Sequence, residues 1–259
     1  MERVKSKDGT LIAYERSGAG QPLVLVHGTG GDHTRWATVL PMLERRFTVY
    51  TVNRRGRGGS GDAADYAIER EYEDIAAVVG SIAEPANLLG HSYGALCSLE
   101  AALLTGNVRR LVLYEPAMST GIPMYPRGAR EKLEALAAAG QREELLATFL
   151  REVVELPEDH IKLLRAEPAW QGRLAAAHTI PREFADGDYV LAPERFSGLN
   201  TPTMLLMGGD SPAYFRRAAE NVFYALPDCR IVKMPGQQHL AMSTAPELFC
   251  REAVHFLSG

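Results

Sequence analysis

"LLGHSYGALCSLEAALL", residues 88–104, holds a five-residue unit, Gly90-His91-Ser92-Tyr93-Gly94, where an apolar run gives way to a helical one. An ordinary turn needs only Asn or Asp with one glycine, so a small hydroxyl residue between two glycines asks for closer backbone packing than a turn requires. G-x-S-x-G between a strand and a helix is the pattern of a nucleophile elbow, a sharp strained turn that lifts the serine hydroxyl above the sheet edge. The helix behind it turns N–H groups and the positive end of its dipole toward charge forming on a substrate oxygen. Gly and Ser are common residues, and the bare pattern also fits a plain strand-to-helix turn. Its surroundings decide between the two.

Outward from this unit, short apolar runs alternate with amphipathic stretches. The runs are "LIAYER" at 11, "PLVLVHG" at 22, "FTVYTVN" at 47, "ANLLGHS" at 86, "RRLVLYEP" at 109, "TPTMLLMGG" at 201 and "CRIVKMPG" at 229. Runs this apolar read as strands covered on both faces. Helical patterns lie between them: "HTRWATVLPMLERR" at 33, "IEREYEDIAAVVGSIAE" at 68, "YGALCSLEAALLTG" at 93, "AYFRRAAENVFYALP" at 213 and "APELFCREAVHFLSG" at 245. The alternation predicts an α/β, doubly wound, mostly parallel sheet with antiparallel strands at its N-terminal edge. It breaks between Met118 and Asn200, where the patterns are helical only. About four helices inserted there read as a lid over the carboxyl ends of the strands, where open α/β sheets bind ligands. One continuous catalytic domain follows, with a core of residues 1–117 and 200–259 and a helical lid of residues 118–199.

Composition limits the function classes. The 259 residues suffice for a sizeable core, and 46% hydrophobic with 23% charged residues is ordinary globular usage. A net charge of −4 and a single short basic cluster, "RRGRG" at 54–58, argue against a nucleic-acid partner, and the cluster reads as a turn. The N-terminal "MERVKSKDGT" lacks a signal peptide's apolar core, and no apolar run reaches the roughly 20 residues that span a bilayer. Cys97, Cys229 and Cys250 are far apart and suggest neither a disulfide framework nor a zinc site, so the expectation is a cytoplasmic protein in a reducing compartment. The seven histidines form no H-E-x-x-H, and no metal is expected. The sequence sets no oligomeric state.

A serine hydroxyl needs a base within hydrogen-bond reach, itself oriented by a third group, and after this elbow the chain order is serine, acid, histidine. His239, in "PGQQHLAM", follows the last strand run and precedes the last helix, which puts it in a loop at Ser92's end of the sheet. His27 sits at a strand end, His91 inside the elbow, and His33, His160, His178 and His255 in helical or lid stretches. His239 is therefore the candidate base. The loop after "PLVLV" reads "HGTGG", so the N–H of Thr29 can join that of Tyr93 as an oxyanion hole. A phosphate cradle is the competing reading of these glycines, and it lacks both G-x-x-x-x-G-K-[ST] and G-x-G-x-x-G.

With "HGTGG", "NRRGRGGSGD", "GHSYG", "YEP" and "GQQHLAM" in this order, the chain resembles the α/β-hydrolase superfamily over nearly its whole length. In lid placement it is similar to the esterase, lactonase, cofactor-free haloperoxidase and C–C hydrolase branches. The resemblance implies a sheet of about eight strands with the lid after the sixth, and no cofactor. "NRRGRGGS" resembles the family's D-x-R-G-x-G-x-S turn with Asn53 in place of Asp, and reads as structural. The family's usual acid lies in a G-x-x-D-P turn after "TPTMLLM", where this chain has Gly208-Gly209-Asp210-Ser211-Pro212. Asp210 is one residue early, and a shift of one in an extended segment can reverse a side chain's direction. The other candidate is Glu115, ending the preceding strand in "LVLYEPAM", the strand end from which the similar haloalkane dehalogenases and resorcylic lactone hydrolases take their acid. Glu115 is favoured, with Asp210 kept as the alternative.

The resulting expectation is a serine hydrolase that cleaves a carboxylic ester or lactone of a mostly apolar small molecule through an acyl-enzyme. Trp36, Met118, Ile122, Met124, Tyr125, Trp170 and Met242 are candidate pocket residues, each of which also suits a core position. Two other readings remain. The same triad serves cofactor-free haloperoxidases and C–C bond hydrolases, and a hydrolase-like hormone receptor would use it as a ligand-binding signalling module with about one slow event per chain, against about 1 to 10³ turnovers per second for an enzyme.

Overall fold

The computed structural model describes residues 1–122, 125–184 and 189–259. Eight strands form one sheet: β1 (Glu2–Lys5), β2 (Leu11–Gly18), β3 (Gln21–Val26), β4 (Phe47–Val52), β5 (Ala86–His91), β6 (Val108–Tyr114), β7 (Thr203–Gly208) and β8 (Cys229–Met234). Their order is β1-β2-β4-β3-β5-β6-β7-β8. β1 and β2 run antiparallel at one edge, and from β4 onward all neighbours are parallel. The short β1 is the strand that the apolar-run pattern omits, because its alternation of charge and Val leaves three of four positions exposed.

Successive residues of the central strands feed opposite layers, as a side-chain period of two demands. Val24, Val26 and Leu88 pack with Ile75 and Val79 of α2 (Ile68–Gly80), Leu96 of α3 (Tyr93–Ala101) and Ala218 and Val222 of α8 (Ala213–Ala225). Leu23, Leu25 and Leu89 pack on the other face with Leu43 of α1 (Leu40–Leu43), Met242 of α9 (Ala241–Thr244) and Phe249 of α10 (Pro246–Leu257). The helix expected over 33–46 is instead a 3₁₀ turn, His33–Trp36, followed by the single turn of α1. Pro41 explains the break: it lacks the N–H that a continuous helix would use there, and its ring suits only a first helical turn.

Between β6 and β7 the chain forms α4 (Ala129–Ala138), α5 (Arg142–Thr148), a π-helical turn (Phe149–Val153), α6 (Glu158–Ala166) and α7 (Trp170–Ala176), then shorter 3₁₀ turns. These helices share a core of their own that includes Leu133, Leu146, Phe149, Ile161, Trp170 and Ile180 and reaches the sheet side through Leu240. No helix among the described residues is long and apolar enough to cross a membrane.

Candidate active site

β3 and β5 are neighbours, yet the chain leaves β3 for β4 on one side and β5 for β6 on the other. At such a reversal the loops diverge and a crevice opens at the carboxyl ends of the strands. Thr29 follows β3 and Ser92 follows β5, so topology alone brings them to one place.

Ser92 has φ 56° and ψ −124°, a strained conformation for a residue with a Cβ. Its surroundings hold it there. The Ser92 N–H donates to the Tyr114 carbonyl at 2.9 Å, and its own carbonyl accepts from Ala95 N–H at 2.9 Å as α3 begins. A Cβ on Gly90 would come within 2.6 Å of Ala95 Cα, and one on Gly94 would collide with the His27 carbonyl oxygen. The two glycines of the unit therefore answer to close backbone approach.

The Thr29 and Tyr93 N–H groups donate to no acceptor among the described residues, and both residues border the same cavity as Ser92. Tyr93 opens α3, so its N–H is one of the donors a helix start leaves free.

His239 lies in the loop between β8 and α9 and is 4% exposed. Its Nδ1 donates to Glu115 Oε2 at 2.7 Å. Phe215 of α8 stacks on the imidazole, ring centroids 4.2 Å apart and planes 17° apart. His91 Nε2 donates to the His239 carbonyl at 3.0 Å, fixing the loop from below. Burial and then the neighbouring His239 push His91 well below the ordinary histidine range, which keeps it a neutral donor.

Glu115 is fully buried and has a positive φ of 47° directly after β6. Its Oε1 accepts the Gly208 N–H at 2.7 Å and the Ser211 hydroxyl at 2.5 Å, leaving Oε2 to the imidazole. Ser211, where the resemblance puts an aspartate, thus donates to the carboxylate that comes from the strand before. Asp210, the alternative, is exposed, and its N–H is spent on the Gln237 carbonyl at 3.0 Å. The one-residue offset turns it away, and the structure corrects that alternative. No hydrogen bond joins Ser92 Oγ to His239 among the described residues; both border one narrow cleft, and such bonds are often loose in the absence of substrate.

A cavity of about 240 Å³ opens beside Ser92. Met118 is on its wall, together with Tyr66, Phe149, Tyr189, Tyr214 and Phe215, which the sequence reading did not single out. The aromatic triplet "AYF" at the start of α8 was the available signal for the last two. Trp36 and Met242 are corrected: both are wholly buried in the layer beneath the sheet, because the Pro41 break and the α9 turn direct them inward. Trp170 and Tyr125 are corrected likewise, since Trp170 packs in the helical core between β6 and β7 and Tyr125 is not on the wall itself but meets, edge to face at 5.5 Å, Phe184, which is. Ile122 is 38% exposed, and Met124 lies outside the described residues.

"RRGRG" is neither a surface patch nor a simple turn. Arg54 forks onto both oxygens of Glu71 at 2.8 Å and reaches Glu183 Oε1 at 2.8 Å, while Arg57 also pairs with Glu183. Arg55 forks onto Asp74 at 2.7 Å. Asn53 accepts from the His33 N–H at 3.1 Å, tying this segment to the loop after β3. Among the described residues no group of three His, Cys, Asp or Glu side chains is placed to hold a metal ion.

A family model described as the alpha/beta hydrolase family matches residues 23–252. The chain is 25% identical over 244 residues to the (E)-2-((N-methylformamido)methylene)succinate hydrolase of Acinetobacter baylyi, covering 90% of this chain and 89% of that one. It is 26% identical over 270 residues to the 2-(acetamidomethylene)succinate hydrolase of Mesorhizobium japonicum, covering 96% and 92%. Among solved structures it is similar to an alpha/beta hydrolase from Sphaerobacter thermophilus, with a TM-score of 0.84, 38% identity and coverage of 98% and 99%.

Proposed function

Because this chain belongs to the alpha/beta hydrolase family, we propose that it is a serine hydrolase that cleaves a carboxylic ester or lactone of a small, mostly apolar molecule, with Ser92, His239 and Glu115 as its triad. The observation that carries this reading is the 2.7 Å bond from His239 Nδ1 to a Glu115 carboxylate that two further donors hold in place. With Nδ1–H directed at the carboxylate, Nε2 is left as the acceptor. Ser92 Oγ attacks the carbonyl carbon while His239 Nε2 takes its proton, and the Thr29 and Tyr93 N–H groups hold the oxyanion. The imidazolium, stabilised by Glu115, returns the proton to the leaving oxygen as the acyl bond breaks. Water then attacks the acyl-enzyme by the same route and frees Ser92.

The apolar and aromatic wall of the 240 Å³ cavity supports a mostly apolar substrate. Phe149, Val153 and Tyr189, on that wall, come from the segment between β6 and β7. This supports the reading of residues 118–199 as a lid whose side chains set substrate preference. The free thiols Cys97, Cys229 and Cys250 suit a reducing, cytoplasmic setting. The test is turnover of p-nitrophenyl acetate. Ser92→Ala is expected to lower kcat by about 10⁴ to 10⁶ with the fold intact, and near-normal turnover in that variant sinks the reading.

A further inference from the structure

Two buried cations beside Ser92 have no part in that mechanism. A cleft narrower than the main cavity adjoins it, and the two share Thr29, Ser92, Phe149 and Val154 on their walls. The narrow cleft is also bordered by His91, His239, Arg35 and Arg173. Arg35 comes from the 3₁₀ turn after β3 and Arg173 from α7, and each is 4% exposed.

Neither guanidinium is satisfied. Arg35 Nη1 donates to Ser243 Oγ at 2.9 Å and stands 3.8 Å from Glu167 Oε2, but its Nε and Nη2 have no partner. Arg173 Nε and Nη2 are buried without partners too. Two carboxylates are near. Glu167 serves Arg35 only at that longer distance, and Asp32 Oδ1 is engaged by the Thr34 N–H at 2.9 Å and hydroxyl at 2.5 Å. Burial together with the charge of Arg173 pushes Arg35 down to about 9, and burial likewise lowers Arg173. Other buried arginines of this protein are treated differently: Arg54 and Arg55 each fork onto a carboxylate at 2.7–2.8 Å. A buried cation with open donors is unfavourable unless an anion completes it.

We propose that Arg35 and Arg173 form a carboxylate subsite for the reacting molecule, so that the substrate carries a free carboxylate a few atoms from the carbonyl that Ser92 attacks. This rests on the serine-hydrolase reading above. The planar forks of two arginines match a carboxylate's two oxygens. The cleft, about 20 Å³ against about 240 Å³ for the main cavity, is too narrow for a ring and suits a small anionic group. The large cavity then takes the apolar remainder.

Two pairs of esters test this, the members of each pair differing in whether one carboxylate is free or esterified. Monoethyl succinate against diethyl succinate puts the carboxylate on the acyl side; acetoxyacetate against methyl acetoxyacetate puts it on the leaving side. Acid release by the full chain gives kcat/KM for each. In at least one pair the anion is expected to exceed its neutral partner by about tenfold or more, the scale of one charge-assisted hydrogen-bonded contact. Arg173→Met and Arg35→Met should each bring that ratio toward one. If in both pairs the anion is no better than the neutral ester, the subsite is overturned, whatever the variants do. Calorimetry on Ser92→Ala keeps the two readings separate. In at least one of the two pairs the anion should bind at least tenfold tighter than its neutral partner, and Arg173→Met in that background should erase the difference. Ester turnover that survives in Ser92→Ala overturns the serine reading and leaves this binding result to decide the subsite; equal binding of anion and neutral ester in both pairs overturns the subsite and leaves the serine reading standing.

Discussion

A carboxylate gripped by the Gly208 N–H, the Ser211 hydroxyl and the His239 imidazole has little freedom to do anything but orient that imidazole. Glu115→Gln should therefore lower kcat by about 10⁴, since an amide cannot stabilise the imidazolium and permits the wrong tautomer. Asp210→Asn should leave kcat close to wild type, because Asp210 is exposed and lies outside this hydrogen-bond set. Both are read on one ester, and a severe loss for Asp210→Asn with a mild one for Glu115→Gln would return the role to the β7 turn. The placement of Ser92 and His239 at one end of the sheet was legible in the sequence because each lies between a strand and a helix. The choice between Glu115 and Asp210 was not legible to the same degree. It turns on which way a side chain leaves a strand end, and that depends on the positive φ at Glu115 and on Ser211, three residues after the end of β7.

At the scale of elements, the loop after β4 is joined to the segment between β6 and β7 by charge. Glu183, in the 3₁₀ turn Pro181–Phe184, accepts from Arg54 and Arg57, all three buried. Burial of such a network has a small net benefit when complete, but removing one member leaves a buried charge unmatched. Glu183→Leu should lower the unfolding free energy by about 3 kcal/mol, the scale of a broken buried pair, measured by urea denaturation. A loss within error of zero would mean that this contact does not tie the segment down. The apolar runs gave the central strands because both of their faces are covered. They did not decide whether Trp36, Trp170 and Met242 would be pocket or core residues, since an aromatic or a methionine near a strand end suits a pocket wall and a packed layer equally well, and only the positions of the helices decide.

Across the whole molecule, stability carries a signature of two buried neutral imidazoles. His27 Nδ1 donates to the Gly28 carbonyl at 2.8 Å and its Nε2 accepts the Arg54 N–H at 3.3 Å, so a second proton would cost it that bond. Burial, first among the causes, holds both His27 and His91 well below the ordinary 6.5. The unfolded chain therefore binds these protons first as pH falls, and stability that is complete above 6.5 declines below it. The paired carboxylate Glu71, held at about 2 against an ordinary 4.5, enters only at lower pH. The urea midpoint should be lower at pH 5.5 than at pH 7.5, and equal midpoints would contradict the neutral assignment. The parallel sheet and its reversal between β3 and β5 place Thr29, Ser92, Glu115 and His239 together, and in the mechanism proposed above Ser92 alone among them becomes covalently modified during turnover. A fluorophosphonate probe followed by peptide mass spectrometry measures this directly. The prediction is one phosphonyl group per chain, on Ser92, with esterase activity lost in proportion to labelling; ester turnover that persists in fully labelled protein, or a label on another residue with Ser92 free, would contradict it.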